Sequence, residues 1–314
     1  MLARQVRSGL TETIHDGAVA VVAADGGLIA SFGDIDRPFY IRSAAKPFQA
    51  LVSQESGAGL EPLELAMACA SHRGFPVHVE LVRSTLERGG LDESALHCPA
   101  DWPLSPVASR LVAEAGVAKS PRRIWHNCSG KHAGFLRACV GAGWPTSTYL
   151  HPDHPLQERV VAVVSELGRF PVGPVGVDGC GSPVLRTTAR AMATLYASLA
   201  SIPRLEDVFT VMHRYPALVG SNGEGDTEIS IATNTAAKGG AQGCIGVAVP
   251  GTGGIGVKSW DGLGQVANLG AVSALEQIGR LPIGPRASLE EVLRPPVTGG
   301  GQEVGRLEPE FTLA

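Results

Sequence analysis

The sequence has no block of lysine and arginine that would form a basic stripe, and its net charge is −4 with a pI near 6.1. Nucleic-acid-binding proteins carry such a basic footprint, so a nucleic acid partner is not expected. No segment approaches the roughly 20 consecutive apolar residues that a membrane helix needs. We therefore expect a small-molecule substrate, with neither a nucleic acid nor a membrane as partner.

The cysteines lack a paired framework. Six of them are scattered along the chain, at Cys69, Cys98, Cys128, Cys139, Cys180 and Cys244. In a reducing compartment such cysteines are expected to be free thiols or metal ligands rather than disulfides. The first residues, "MLARQVRSGLTETIHDG", hold no long apolar core followed by a small-residue cleavage site, so a cytoplasmic location is expected.

The pattern of the chain indicates strands at both ends and helices between them. With 314 residues, 44% hydrophobic and 18% charged, it can build one large α/β unit or two lobes around a cleft. "GAVAVVAA", the turn "DGG" and "LIASFG" predict a hairpin, and "FYI" predicts a third short strand. Helices are predicted for "PLELAMACA", "VELVRSTLERGG", "SPVASRLVAEAG", "KHAGFLRACVGAG", "PLQERVVAVVSELG" and "PVLRTTARAMATLYASLA". From Gly243 onward "GCIGVAVPG", "GIGVKSW" and "LGQVANLG" are predicted to be strands.

This order predicts an α/β fold with one mixed, largely antiparallel sheet built from both termini and covered by helices. A helical lobe over about residues 60–215 faces the sheet across a cleft, and residues 1–314 form one unit. Residues 295–314, rich in proline, glycine and glutamate, are expected to be a loosely held tail.

The stretch "RSAAKPFQA" places Ser43 three residues before Lys46, with Pro47 next. If a helix begins directly after "FYI", Ser43 is its N-cap, and Pro47 removes at most the first hydrogen bond of the helix. One helical turn would bring the amine toward the hydroxyl, and the helix N-terminus would favour negative charge near Ser43 by up to about 1–2 kcal/mol. The alternative is an ordinary N-cap serine, since this short motif also arises by chance.

A second lysine stands out because the chain has only five. Lys258 follows a glycine-rich segment in "GTGGIGVKSWDG", which resembles the lysine-bearing strand of serine β-lactamases and penicillin-binding proteins. A lysine acts as a base only when neutral, and burial beside another cation lowers its pKa. The alternative is a solvated strand residue beside a turn.

Several segments together resemble the L-asparaginase II family, whose fold is similar to that of serine β-lactamases and glutaminases. The matching stretches run in order as "RSGLTETIHDGAVAVV", "FYIRSAAKPFQ", "CASHRGFPVHV", "HNCSGKHAGFL", "VDGCGSPV", "GDTE", "KGGAQG" and "GIGVKSWDG". The resemblance implies a serine β-lactamase/DD-peptidase-like unit. It also implies hydrolysis of the side-chain amide of L-asparagine to L-aspartate and ammonia, by a homodimer.

The resemblance further implies two serine–lysine pairs in one pocket, Ser43 with Lys46 and Ser71 with Lys258, and substrate-binding roles for Arg42, His72 and Asn127. The expected chemistry is acyl transfer, in which a serine loses its proton to a lysine and attacks the amide. Ser43 is the predicted nucleophile, because a helix start supplies N–H groups to an oxyanion, and Ser71 remains the alternative. Without the resemblance, Ser71 would be interpreted as a helix-terminal serine bonding backbone.

A zinc ion is also implied, at Cys128, Lys131 and Cys180, with Asp178 as an outer acceptor for a ligand or water. Two thiolates and a nitrogen suit zinc, although lysine is an uncommon ligand because its amine must be neutral. His126 and His132, from the same loop, are alternative ligands. The competing interpretation is buried free cysteines and an exposed lysine.

The sequence departs from the family in two places. After "SH" the family continues with a small residue, glycine and glutamate, whereas this chain has Arg73, Gly74 and Phe75. Before "DT" the family carries arginine and a bulky residue, whereas this chain has Glu224 and Gly225. These changes bear on how a substrate carboxylate is held, because arginine suits carboxylates.

Three alternatives to asparagine hydrolysis therefore stay open. One is hydrolysis of another amide, such as glutamine or a β-lactam-like ring. Another is a zinc- or ligand-binding protein that has lost catalysis. The third is a cysteine hydrolase using Cys128 or Cys69, since "HNC" places His126 near Cys128.

Overall fold

A computed structural model describes residues 1–116, 119–281, 289, 290, 292 and 294–314. Its strands are β1 (Ala3–Arg7), β2 (Leu10–His15), β3 (Gly17–Ala23), β4 (Leu28–Phe32), β5 (Phe39–Tyr40), β6 (Gly176–Val177), β7 (Pro183–Val184), β8 (Arg186–Thr187), β9 (Ala236–Gly240), β10 (Cys244–Val249), β11 (Gly253–Ser259), β12 (Pro296–Gly299) and β13 (Gln302–Pro309). Its helices are α1 (Lys46–Glu55), α2 (Pro62–Ala68), α3 (Pro76–Glu87), α4 (Pro106–Glu114), α5 (Ser129–Ala142), α6 (Pro155–Gly168), α7 (Ala189–Ser201), α8 (Glu206–Arg214), α9 (Pro216–Val219), α10 (Gly225–Thr233) and α11 (Gly264–Gln277).

Two sheets combine strands from the two ends of the chain. The five-stranded sheet has the order β4-β3-β11-β10-β9, and the four-stranded sheet has the order β12-β13-β1-β2. Every strand pair in the described part of the chain is antiparallel. The predicted fold class, a mixed α/β fold with antiparallel strands from both termini and helices between them, is confirmed, with the strands divided between two sheets instead of one.

Helix α7 lies unusually close to the five-stranded sheet because glycines face it. A Cβ added to Gly254 would lie 2.2 Å from the carbonyl oxygen of Ala193, and one added to Gly256 would lie 2.3 Å from that of Ala189. Side chains alternate along a strand, so Lys258 shares this face of β11. The glycines before Lys258 therefore leave room for the backbone of α7.

The opposite face of this sheet forms a second core with α11. Ile255 and Val257 of β11 are fully buried there, together with Leu269 and Val272 of α11. The larger core lies in the helical lobe, where Phe48 of α1 is fully buried. A cleft lies between the helical lobe and the β9 edge of the sheet, and the candidate site described below occupies it.

Three predictions about elements are wrong. "LGQVANLG" is the start of α11, because its buried residues Val266 and Leu269 are spaced for a helix that continues to Gln277. The expected loose tail contains β12 and β13, and β13 pairs with every residue of β1. The segment "PVLRT" forms β7 and β8, and α7 begins after Thr188, whose side chain accepts a hydrogen bond from the Ala191 N–H.

All six cysteines are buried free thiols, as expected. Within the described ranges, none of the helices combines the length and apolarity needed to cross a membrane.

Candidate active site

Ser43 lies in a tight turn that precedes α1. Residues Arg42–Ala45 form a 3₁₀ helix, and α1 begins at Lys46 with Ala45 as its N-cap. The prediction that Ser43 is the N-cap of an α-helix is therefore wrong, because Ser43 lies within the 3₁₀ helix that precedes α1. Arg42 has φ +53, a left-handed conformation that is uncommon for a residue with a side chain. The turn is anchored to α7, because the Tyr196 hydroxyl donates to the Ala44 carbonyl oxygen at 2.8 Å.

Lys46 is buried with 1% of its surface exposed, and its amine lies beside Ser71. Its Nζ is 3.0 Å from Ser71 Oγ and donates to the Ala70 carbonyl oxygen at 2.6 Å. Burial lowers the pKa of Lys46, and the positive charge of Lys238 lowers it further. The hydroxyl that Lys46 contacts thus belongs to Ser71, which the sequence had paired with Lys258.

Ser43 and Ser71 line the same cavity, which has a volume of about 250 Å³. Asn127, the third predicted residue on its wall, lies beside them. The two serines, with Lys46 behind Ser71, are therefore brought together as predicted. The remaining wall combines residues of α10, α11, β9 and the start of β10 with residues of the loops beside them. These residues are Arg73, Leu104, Gly220, Glu224, Gly225, Asp226, Lys238, Gly239, Gly240, Ala241, Cys244, Gly264 and Asn268.

The second lysine of the cavity is Lys238, which the sequence interpretation did not single out. It is 2% exposed, and its Nζ lies 3.0 Å from Asp226 Oδ2. Burial opposes ionisation of Asp226, but the charge of Lys238 and the Gly239 N–H outweigh it, so the pKa of Asp226 lies below its ordinary value. Both residues occur in stretches that resemble the family, "GDTE" and "KGGAQG". A lysine directly followed by two glycines on a short strand was the available signal.

Lys258 lies elsewhere, and its predicted pairing with Ser71 is wrong. Its Nζ donates to the carbonyl oxygens of Gln242 and Ser259, each at 2.5 Å, and lies 5.7 Å from the ring centres of Phe39 and Trp260. Lys258 does not line the cavity, although Cys244, its partner on the neighbouring strand β10, does. Lys258 is 7% exposed, so a solvated strand residue is also the wrong description, and this burial lowers its pKa.

His72 and Arg42, both predicted to bind substrate, are engaged with the protein itself. His72 is fully buried, with Nε2 2.7 Å from Ser129 Oγ and Nδ1 accepting from the Gly74 N–H. Arg42 Nε donates to Asp178 Oδ1 at 2.7 Å. This ion pair connects the turn of Ser43 to the loop of Cys180, so Arg42 and Asp178 position these two segments.

The residues expected to bind zinc do converge. Lys131 Nζ donates to Cys180 Sγ at 3.0 Å and to Ser182 Oγ at 2.8 Å. Hydrogen bonding from Cys128 lowers the pKa of Cys180 well below its ordinary range, against the effect of burial. Within the described residues, no three histidine, cysteine, aspartate or glutamate side chains are arranged to hold a metal, so a zinc ion here would need the Lys131 amine.

His132 fits such a site better than His126. Its Nε2 is buried without a hydrogen-bond partner among the residues described, while its Nδ1 lies 2.7 Å from the Tyr149 hydroxyl. His126 instead accepts the Cys128 backbone N–H through Nδ1.

A cysteine nucleophile is disfavoured by the same geometry. Burial raises the pKa of Cys69 to about 12, and the hydrogen bond with Cys180 raises that of Cys128. Because the thiolate is the nucleophile, neither thiol is activated.

Two serine hydroxyls and two buried lysines lie at or beside one cavity, and these are groups that can serve acyl transfer. The family model described as L-asparaginase II matches residues 3–309, so this chain belongs to the L-asparaginase II family. Membership confirms the resemblance seen in the sequence and makes the chain an amidohydrolase. No curated protein matches it.

Solved structures with similarity to this chain include glutaminases. Mglu with tris and glutamate is 17% identical over 90% of this chain and 64% of its own, with a TM-score of 0.48. A Bacillus glutaminase in 4.3 M NaCl is 12% identical over 85% of this chain and 92% of its own, with a TM-score of 0.41. A probable glutaminase, ybaS, is 17% identical over 84% of this chain and 86% of its own, with a TM-score of 0.44. The chain spans 67%, 64% and 62% of three Mglu structures.

Proposed function

We propose that this amidohydrolase converts L-asparagine to L-aspartate and ammonia through an acyl-serine intermediate. The observation that carries the proposal is the 3.0 Å contact between the buried amine of Lys46 and Ser71 Oγ, at the wall of the cavity that Ser43 also lines. A buried amine of lowered pKa beside a hydroxyl can accept a proton near neutral pH. A cavity of about 250 Å³ suits a substrate as small as a free amino acid amide.

In the proposed reaction, Ser43 Oγ attacks the side-chain amide carbon and its proton passes to neutral Lys46. The proton then moves through the Ser71 hydroxyl to the amide nitrogen, and ammonia leaves as the C–N bond breaks. Water hydrolyses the resulting ester, which releases aspartate and restores Ser43. Lys238 adds positive charge close to the developing oxyanion.

Backbone conformation favours Ser43 over Ser71 as the nucleophile. The residue before Ser43 is the left-handed Arg42, and uncommon backbone conformations in rigidly held turns concentrate at functional sites. Ser71 already contacts the amine, which suits a hydroxyl that relays a proton.

We also propose that Cys128, Lys131 and Cys180 bind zinc, with His132 as a further candidate. Burial favours the neutral amine of Lys131, but interactions led by the charge of Cys180 outweigh burial and raise the pKa of Lys131, so the amine must lose a proton when a metal binds. When bound, zinc would supply a fixed positive charge near the cavity. Elemental analysis of protein purified with zinc present should find the metal, and Cys180→Ser should reduce its content. Absence of bound metal in the unaltered protein would contradict the site.

The test of function is ammonia release from L-asparagine and L-glutamine. We expect turnover of asparagine and a loss of at least about 1,000-fold in kcat for Ser43→Ala, with no change for Ser201→Ala, an exposed serine of α7. Mass spectrometry of rapidly quenched reactions should place the acyl group on the peptide that holds Ser43. An acyl group on Ser71 would exchange the roles of the two serines. Failure of the unaltered, zinc-replete protein to release ammonia from asparagine would refute the proposed activity.

A further inference from the structure

The two departures from the family meet in one ion pair at the active-site cavity. Arg73 Nη2 contacts Glu224 Oε2, and both side chains line the cavity with Ser43 and Ser71. Arg73 follows Ser71 by two residues, and Glu224 is the N-cap of α10. The positive charge therefore stands on the Ser71 side of the cavity and the negative charge on the α10 side.

Arg73 has one hydrogen-bond donor that no other described residue engages. Its Nε is buried and has no hydrogen-bond partner among the described residues, while Nη2 binds Glu224. Nε and one Nη of a guanidinium form a planar edge that donates one hydrogen bond to each oxygen of a carboxylate. A buried donor without a partner is unfavourable, so a carboxylate that reaches this edge is stabilised by both hydrogen bonds.

Gly225 lets another polar side chain close the same wall. A Cβ on Gly225 would lie 2.0 Å from Asn268 Nδ2, so a larger residue there would displace Asn268 from the cavity. The wall that carries Glu224 is thus built from polar groups, where a bulky side chain is found in the family.

We propose that Arg73 and Glu224 bind the charged end of a free amino acid amide, with Arg73 on the carboxylate and Glu224 on the ammonium. This inference rests on the proposed function and names the residues that select its substrate. A zwitterion replaces the Arg73–Glu224 contact with two new ion pairs, one for each side chain. A substrate with a single charge leaves one of the two side chains without a partner, and it is therefore selected against.

Three amides separate the two contacts: L-asparagine, succinamic acid, which lacks the ammonium, and 3-aminopropanamide, which lacks the carboxylate. For Arg73→Gln we expect kcat/KM to fall about 10- to 100-fold for asparagine and succinamic acid, and less than about 3-fold for 3-aminopropanamide. For Glu224→Gln we expect the fall for asparagine and 3-aminopropanamide and little change for succinamic acid. Arg190→Gln, which breaks the exposed ion pair with Asp36, is the control and should leave all three ratios unchanged.

Product binding gives a second measurement. Calorimetry with L-aspartate, succinate and β-alanine should show the same crossed pattern of losses. An equal loss for all three amides in either variant would assign Arg73 and Glu224 a structural role and overturn the inference alone. An unaltered protein that hydrolyses none of the amides would overturn the proposed function, and the inference with it.

Discussion

At the scale of single residues, the protonation of Lys46 controls the proposed chemistry. The amine must be neutral to accept a proton from a serine, and its burial favours that form. We predict that kcat/KM rises with pH as Lys46 loses its proton, through a pKa below the ordinary 10.5. Lys46→Arg, which stays protonated, should lower kcat by at least about 100-fold. The measurement is a pH–rate profile from about pH 6 to 10. A flat profile, or normal turnover by Lys46→Arg, would contradict this role.

Two other buried lysines give a matched comparison, since one lines the cavity and the other does not. Lys238→Met should reduce kcat/KM by at least about 100-fold, because it removes the charge beside the site and leaves Asp226 buried without its partner. Lys258→Met should leave kcat/KM within about 3-fold and lower only stability, because Lys258 does not line the cavity and its amine donates to the backbone carbonyls of Gln242 and Ser259. Steady-state kinetics and urea unfolding of both variants check this. Equal losses of activity would restore Lys258 to the catalytic group.

At the scale of elements, the contact between α7 and β11 depends on glycine. Gly256→Ala should lower the free energy of unfolding by at least about 2 kcal/mol, because its Cβ would overlap the Ala189 backbone. Gly264→Ala, at the start of α11, is the control: its Cβ would meet nothing within 4 Å, so stability should stay the same or rise by up to about 1 kcal/mol. Equilibrium unfolding in urea measures both. Similar values for the two variants would show that α7 adjusts without cost.

Elements with a strong local signal could be predicted from the sequence. The hairpin of β3 and β4 was found because an apolar run, "DGG" and a second run follow one another. Helix α11 was missed because "LGQVANLG" is too short for a period of 2 to be told from 3.6. Strand β13 was missed because its partner β1 lies about 300 residues away in sequence, and a polar, glycine-rich segment shows no strand pattern of its own.

At the scale of the whole molecule, the residues of the site could be predicted, but only some of their partners. Ser43 and Ser71 do share a cavity, as the resemblance implied. The contact of Lys46 with Ser71 joins residues 25 apart and depends on how α1 and α2 pack, which no local pattern encodes. The prediction for Lys258 was wrong because the glycines before it resemble those of a strand that lines a substrate site. In this protein those glycines allow α7 to pack closely on β11. The ion pair of Arg73 and Glu224 joins two segments that are distant in the chain and that no local pattern connects.

The two ends of the chain are joined in one sheet. Strand β13 lies between β12 and β1, and its Leu307 is 5% exposed in the core that also buries Leu2. Leu307→Ala should cost about 2–4 kcal/mol of stability, as for other buried leucines. The exposed Gln302→Ala, in the same strand, should stay within about 0.5 kcal/mol.

Removal of residues 296–314 should be more damaging than either substitution, because β1 then loses one of its two hydrogen-bonded neighbours and Leu2 loses its packing against Leu307 in the shared core. We expect a lower thermal midpoint or failure to fold, measured by circular dichroism. Ammonia release should fall in parallel, because the core that holds Leu2 and Leu307 also contains Ala237, the residue before Lys238. A shortened chain with the unaltered midpoint and full activity would show that β12 and β13 are dispensable, as a loose tail would be.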